Sequence, residues 1–165
     1  IIITGDRIKH NFRNMNSIIS KFYSAFTSLD AEAMVAYYHD DIVFQDPAFG
    51  QLKGERAKNM WRMLCQSQKG KDFRVEYSEV TSNGIYAKAQ WEAHYNFSQI
   101  GRKVHNKIDA SFEFKDGLIV RHDDSFNLHV FPVAGRTVIY RNINAKSTSS
   151  LALAVVTARR FFMPQ

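Results

Sequence analysis

The chain has 165 residues, 45 % of them hydrophobic and 13 % aromatic, enough for one domain with its own core. No apolar run reaches the ~18 residues of a membrane span, the opening isoleucines are too few for the apolar part of a signal peptide, and a single cysteine, Cys65, excludes an internal disulfide or a cysteine-built metal cluster. The net charge of +6 sits at the ends: residues 15–128 hold 14 basic and 15 acidic side chains, residues 1–14 three and one, and residues 129–165 five and none.

That distribution argues against nucleic acid, because the part that reads as folded carries no basic excess. The cytoplasm is the default location. Residues 1–14 show no strong period and read as an extension, with Met15 a candidate natural start. Residues 129–165 read as a basic C-terminal extension, in which Leu151–Val156 could make a short helix or strand.

From Asn16 to Leu29, Ile18, Ile19, Phe22, Phe26 and Leu29 recur at helical spacing, with Tyr23 beside the stripe. Asp30 can cap a second helix, Ala31 to Tyr38. Asp41 to Pro47 reads as a short strand stopped by proline, with Ile42, Phe44 and Asp46 sharing one face. Glu55 to Gln66 is a third helix, with Ala57, Met60, Trp61 and Leu64 on its apolar stripe.

Strands follow. Phe73, Val75 and Tyr77 alternate with polar residues, and Ser82-Asn83-Gly84 is a turn signal. Ile85 to Phe97 is a long strand. Its odd positions (Ile85, Ala87, Ala89, Trp91, Ala93, Tyr95, Phe97) are apolar, and its even positions, His94 among them, look outward. Asn106 to Phe114 and Leu118 to Phe126 form a hairpin around Lys115-Asp116-Gly117.

Two turns are open to this hairpin. A two-residue loop sets Lys115 opposite Leu118. A three-residue loop with a glycine bulge sets Phe112 opposite Val120, Ala110 opposite His122 and Ile108 opposite Asp124. The second keeps one face apolar and is the expected register. Leu118, Val120, His122, Asp124 and Phe126 then share the inward face. Polar groups facing inward cost free energy unless paired or wet, so His122 and Asp124 become the first candidates for chemistry.

Three helices followed by long antiparallel strands predict an α+β architecture, with helices packed on one face of a bent sheet. Small residues on that face (Ala87, Ala89, Ala93, Ala110) would leave room for a pocket.

Taken together, Phe22-Tyr23, Asp30, Phe44 to Pro47, Trp61, Trp91 to Tyr95, Gly101-Arg102 and Phe112 to Phe126 resemble the nuclear transport factor 2-like superfamily, and within it the SnoaL-like group. The resemblance runs from Asn16 to Leu128. It implies a cone: three N-terminal helices on a strongly curved, mostly antiparallel sheet enclosing a pocket, usually in a homodimer packed through the sheet. Relatives include polyketide cyclases, ketosteroid isomerases, limonene-epoxide hydrolases and a dehydratase, besides proteins without established activity. They use an inward aspartate, or a histidine and aspartate, as acid or base on a small organic molecule without metal or cofactor. Neither the arginine between two aspartates of the epoxide hydrolases nor the tyrosine–aspartate arrangement of the ketosteroid isomerases stands out here.

His122, Asp124 and Asp46 are accordingly the candidate catalytic groups. His122 and Asp124 are two apart on a strand, roughly 6.5–7 Å between backbones, so both can reach one substrate. The alternatives are ligand binding without chemistry and a buried polar network that only orders the core. Asp46, before Pro47, is equally readable as a turn residue. Tyr23, Trp61, Trp91, Tyr95, Asn106 and Phe126 are candidate substrate contacts, and the aromatic ones serve equally as core. No metal-ligand spacing, phosphate loop or nucleotide fingerprint is present. The expected ligand is a small, largely apolar organic molecule.

Overall fold

The computed structural model describes the backbone over residues 5–97, 102–126, 129–133 and 136–140, and side chains over residues 15–96 and 105–126. The elements in chain order are α1 (Gly5–Thr27), α2 (Ala31–Val35), β1 (Tyr38–Asp46), β2 (Gly50–Lys53), α3 (Glu55–Gln68), β3 (Phe73–Asn83), β4 (Tyr86–Phe97), β5 (Arg102–Lys115), β6 (Leu118–Ser125), β7 (His129–Val133) and β8 (Arg136–Tyr140). This is the α+β class expected from the sequence. Helix α1 begins well before Asn16, so much of the stretch read as an extension is helical. The proposed segment at Leu151–Val156 lies outside the described residues.

Six strands form one open sheet in the order β2-β1-β6-β5-β4-β3, and β7 and β8 pair as a separate antiparallel hairpin. Within the large sheet only β1 and β6 run parallel; the other neighbours are antiparallel. The inward face and the three helices bury one continuous core, including Phe22, Phe26, Phe44, Trp61, Trp91 and Phe112. No helix among the described residues is long and apolar enough to cross a membrane.

Local signals place the elements. Helix α1 stops because Leu29 takes a left-handed conformation (φ 54°), so that its N–H bonds the Phe26 carbonyl and the Asp30 N–H bonds the Ala25 carbonyl. Asp30 then caps α2, its Oδ1 accepting the Ala33 N–H at 3.0 Å. Helix α2 ends at Val35, earlier than the periodicity suggests. Tyr38 is therefore the first residue of β1 and not the last of a helix. Helix α3 runs two residues beyond Gln66, and Gly50–Lys53 forms the edge strand β2.

Strands β3 and β4 meet at the expected turn, and the odd row Ala87, Ala89, Trp91, Ala93 and Tyr95 is buried. Ile85 departs from that row. It sits in the turn beside Gly84 (φ 78°), is 55 % exposed, and its carbonyl accepts the Phe114 N–H.

The β5–β6 hairpin corrects the expected register. Asp116 and Gly117 both have positive φ (53° and 79°), making the two-residue turn that face-matching had disfavoured. Lys115 pairs with Leu118 and Phe114 with Ile119. The ladder then shifts between Glu113 and Phe114, leaving Val120 as an extra residue. Beyond it Phe112 pairs with His122 and Ala110 with Asp124. The bulge changes parity along β6. Ile119 faces inward on one side of it, and His122 and Asp124 on the other. An apolar inner face is kept, through a bulge in the strand and not through a longer turn.

Candidate functional site

Central position in the sheet makes His122 inaccessible. It is 0 % exposed. Phe44 of β1 and Phe112 of β5 flank it as register partners, and their ring centroids lie 5.3 and 4.3 Å from the imidazole. Phe22 of α1 meets it edge-on at 5.6 Å, and Trp61 of α3 stacks on it at 5.9 Å with an interplanar angle of 11°.

Inside this aromatic shell runs one chain of hydrogen bonds. The Trp61 Nε1–H donates to the Tyr38 hydroxyl at 2.7 Å. The Tyr38 hydroxyl lies 2.6 Å from His122 Nδ1. His122 Nε2 lies 3.1 Å from Asp124 Oδ1, which also accepts the Trp91 Nε1–H at 3.2 Å. A carboxylate can only accept, so with Asp124 ionised the Nε2 carries a proton. With a neutral imidazole, Nδ1 then accepts the Tyr38 O–H. Burial, followed by the Asp124 charge, pushes the Tyr38 pKa well above the ordinary tyrosine value, while the Trp61 hydrogen bond opposes the shift. Tyr38 thus stays a neutral donor. The result is a Tyr–His–Asp chain with an indole N–H at each end.

Both of these bonds to Asp124 fall on Oδ1. The Tyr23 hydroxyl is buried and has no partner among the described residues. Burial, then Asp124, then Tyr38 raise the Tyr23 pKa well above its usual value. Farther along the inward face, Asn106 Nδ2 donates to the Tyr95 hydroxyl at 3.0 Å, while Asn106 Oδ1 is buried without a partner among the described residues. Phe126 is half-buried at the end of β6.

Asp46 stands apart from this chain. Its Oδ1 accepts the Ala48 and Phe49 N–H groups at 3.0 and 2.5 Å and so holds the β1–β2 turn, as its place before Pro47 allowed. Hence the structure brings His122, Asp124, Trp61 and Trp91 into one network, sets Tyr23 against it, and pairs Tyr95 with Asn106. Tyr38 is the member that sequence reasoning missed. Its assignment to a helix hid it, although Tyr38-His-Asp-Asp-Ile-Val-Phe44 also reads as a strand entering the core.

Two cavities lie elsewhere. A groove of about 1110 Å³ opens between α2, α3 and β2, with Leu29, Phe49, Leu52, Met60 and Met63 on its apolar lining. A recess of about 470 Å³ lies at the β3–β4 and β5–β6 turns, beside Tyr86 and Arg121. None of the sequence-derived candidate residues lines either one.

The fold and these side chains can be set against known proteins. No curated protein matches the chain. Among solved structures, a protein assigned as a polyketide cyclase from Xanthomonas campestris superposes with a TM-score of 0.58 at 20 % identity, over 71 % of this chain and 93 % of that one. An LEH-like epoxide hydrolase of M. tuberculosis gives 0.58 at 19 %, over 70 % and 84 %. A protein assigned as a ketosteroid isomerase from Kribbella flavida gives 0.58 at 13 %, over 86 % and 95 %. At these identities the likeness is one of fold. The SnoaL-like domain family matches residues 19–122, a stretch that runs from α1 to His122. With more than half of its length matched, the chain belongs to the SnoaL-like domain family.

Proposed function

We propose that this protein takes a small, largely apolar organic molecule at the Asp124 end of the buried Tyr38–His122–Asp124 chain and exchanges a proton with it. The observation that carries the reading is the polarity of that chain. Tyr38 and Trp61 fix the imidazole, its Nε2 meets Asp124 Oδ1, and the Trp91 indole N–H falls on that same oxygen. Asp124 would accept a proton from the substrate on Oδ2 and return it at another atom, so an isomerisation or cyclisation balances without a further reactant. His122 is the positioning group, whose N–H holds the carboxylate while the proton is away. The Tyr23 hydroxyl offers a hydrogen bond to a substrate oxygen, and Asn106 Oδ1 can accept one from a substrate hydroxyl. Similarity to structures assigned as a cyclase, an epoxide hydrolase and an isomerase supports this reaction class.

The complete enclosure of His122 favours a second reading, in which the ligand is held without turnover. A thermal-shift screen of ketones, epoxides and quinones, followed by turnover assays on the hits, separates the two. Binding stabilises the folded chain by mass action. With Asp124→Asn, an enzyme loses turnover and keeps the shift, whereas a carrier keeps its only activity. A panel that shifts neither protein overturns both readings. The homodimer packed through the sheet belongs to the same proposal, and light scattering at micromolar concentration checks it.

A further inference from the structure

We propose that Glu92, His94 and His105 bind one divalent cation of the zinc class on the outer face of the sheet, opposite the buried chain. On β4 and β5 the even row of one strand meets the odd row of the other. His94 is therefore directly opposite His105, and on β3 Glu76 is directly opposite Glu92. One donor atom from each of Glu92, His94 and His105 lies within 4.8 Å of the others. Two imidazoles and a carboxylate are a donor set suited to zinc, copper or nickel rather than calcium or magnesium.

Two features point to a cation. The His94 Nε2 atom is buried and has no hydrogen-bond partner among the described residues. Its nearest carboxylates, Glu92 and Glu76, stand at 3.9 and 4.0 Å, beyond a hydrogen bond but within reach of a shared metal. Glu76 and Glu92, like charges in directly opposed positions, are already met by Arg74 and by Lys107 and His105 respectively. His105 Nε2 already meets Glu92 Oε2. Lys107 holds the other oxygen, Oε1, at 3.0 Å, which leaves Oε2 for the metal, and Arg74 sits 3.3 Å from Glu76 Oε1.

In a tetrahedral site with bonds of ~2.0–2.1 Å, donors stand about 3.3 Å apart. Reaching that requires His94 and Glu92 to close by about 0.6 Å and His105 to draw back from Glu92. The two rings stack at 4.1 Å with an angle of 17°, so they must also tilt toward each other. The histidine χ2 torsion is broad, which makes the tilt inexpensive. Glu76 or a water completes the shell.

The test is isothermal titration of the chelator-stripped full chain with zinc chloride, repeated on His94→Asn, His105→Asn and the double variant. The expected result is one zinc per chain at micromolar concentration, weakened at least about tenfold by either substitution and lost in both. Cobalt(II) would show the intense visible bands of tetrahedral coordination in the parent chain alone. His105 is largely at the surface, so a melting temperature unchanged without metal verifies that the variants fold. Zinc uptake that persists in the double variant, or no uptake from micromolar zinc by the parent chain, overturns the proposal. The result is independent of the Asp124 chemistry on the other face.

Discussion

Tyr38 of β1 links α3 to β6 through its hydroxyl. Its oxygen accepts from Trp61 of α3 and its proton serves His122 of β6. Tyr38→Phe would leave the Trp61 N–H and the His122 Nδ1 unpartnered in the buried core. An orphaned buried group costs ~1–3 kcal/mol, so the expected loss is roughly 2–4 kcal/mol, read as a lower urea midpoint with unchanged slope. A loss below about 0.5 kcal/mol would mean that the chain is not closed as described. Cys65 tests burial separately. It is 1 % exposed, beside Met34 Sδ at 3.7 Å, and burial pushes its thiol up to about 11. Native protein at pH 8 should therefore react with a thiol reagent only as fast as it unfolds. Because the folded-state pKa lies above the unfolded one, this residue contributes its full stability below about pH 9 and loses it as pH rises toward 11. Cys65→Ala should flatten that part of the pH profile.

At the scale of elements, the β5–β6 hairpin shows what a sequence can and cannot disclose. Alternation pointed correctly at His122 and Asp124 as inward residues, because both lie beyond the bulge, where even parity holds. It misplaced Val120 and missed Ile119, because a β-bulge leaves no mark in a hydrophobic pattern. The choice of turn turned on the same point: a two-residue loop appears to mix apolar and charged partners only if the ladder is assumed unbroken. Tyr38 was hidden for a related reason. A five-residue helix running directly into a strand offers too few residues for either period to declare itself. Asp46 before Pro47 was open to both a turn and a pocket reading, and only coordinates could reveal the two N–H groups on its oxygen. The turn itself is testable. Gly117 has φ 79°, and a Cβ there would meet nothing within 4 Å. Gly117→Ala should therefore destabilise only through backbone strain, by about 1 kcal/mol. Asp116→Gly at φ 53° should be neutral or slightly stabilising. Equal midpoints for parent and Gly117→Ala would contradict the left-handed turn.

Across the whole molecule the order β2-β1-β6-β5-β4-β3 makes β6 the link between the two halves of the sheet. On one side stand β1 and β2 with the helices that precede and follow them in the chain; on the other stand β5, β4 and β3. Phe44 meets His122 across the parallel β1–β6 pair, so distant parts of the sequence must meet before the core closes. Loop closure over such separations slows folding more than it lowers stability. The buried chain depends on that meeting, since Tyr38 belongs to β1 and His122 and Asp124 to β6. We propose that the folding unit is residues 5–128, the SnoaL-like domain expected over 15–128 together with the first part of α1. A chain ending at residue 128 retains all six strands and the Trp61–Tyr38–His122–Asp124–Trp91 bonds. It should melt in one cooperative transition with the tryptophan emission of the full chain. A chain ending at Gly117 lacks β6, leaves the Tyr38 O–H without its His122 acceptor, and leaves β1 and β5 each with an unpaired edge. That fragment should show no cooperative transition and should aggregate through those edges. A cooperative melt in the shorter fragment would show that the sheet does not depend on β6, and the site built on that strand would have no structural foundation.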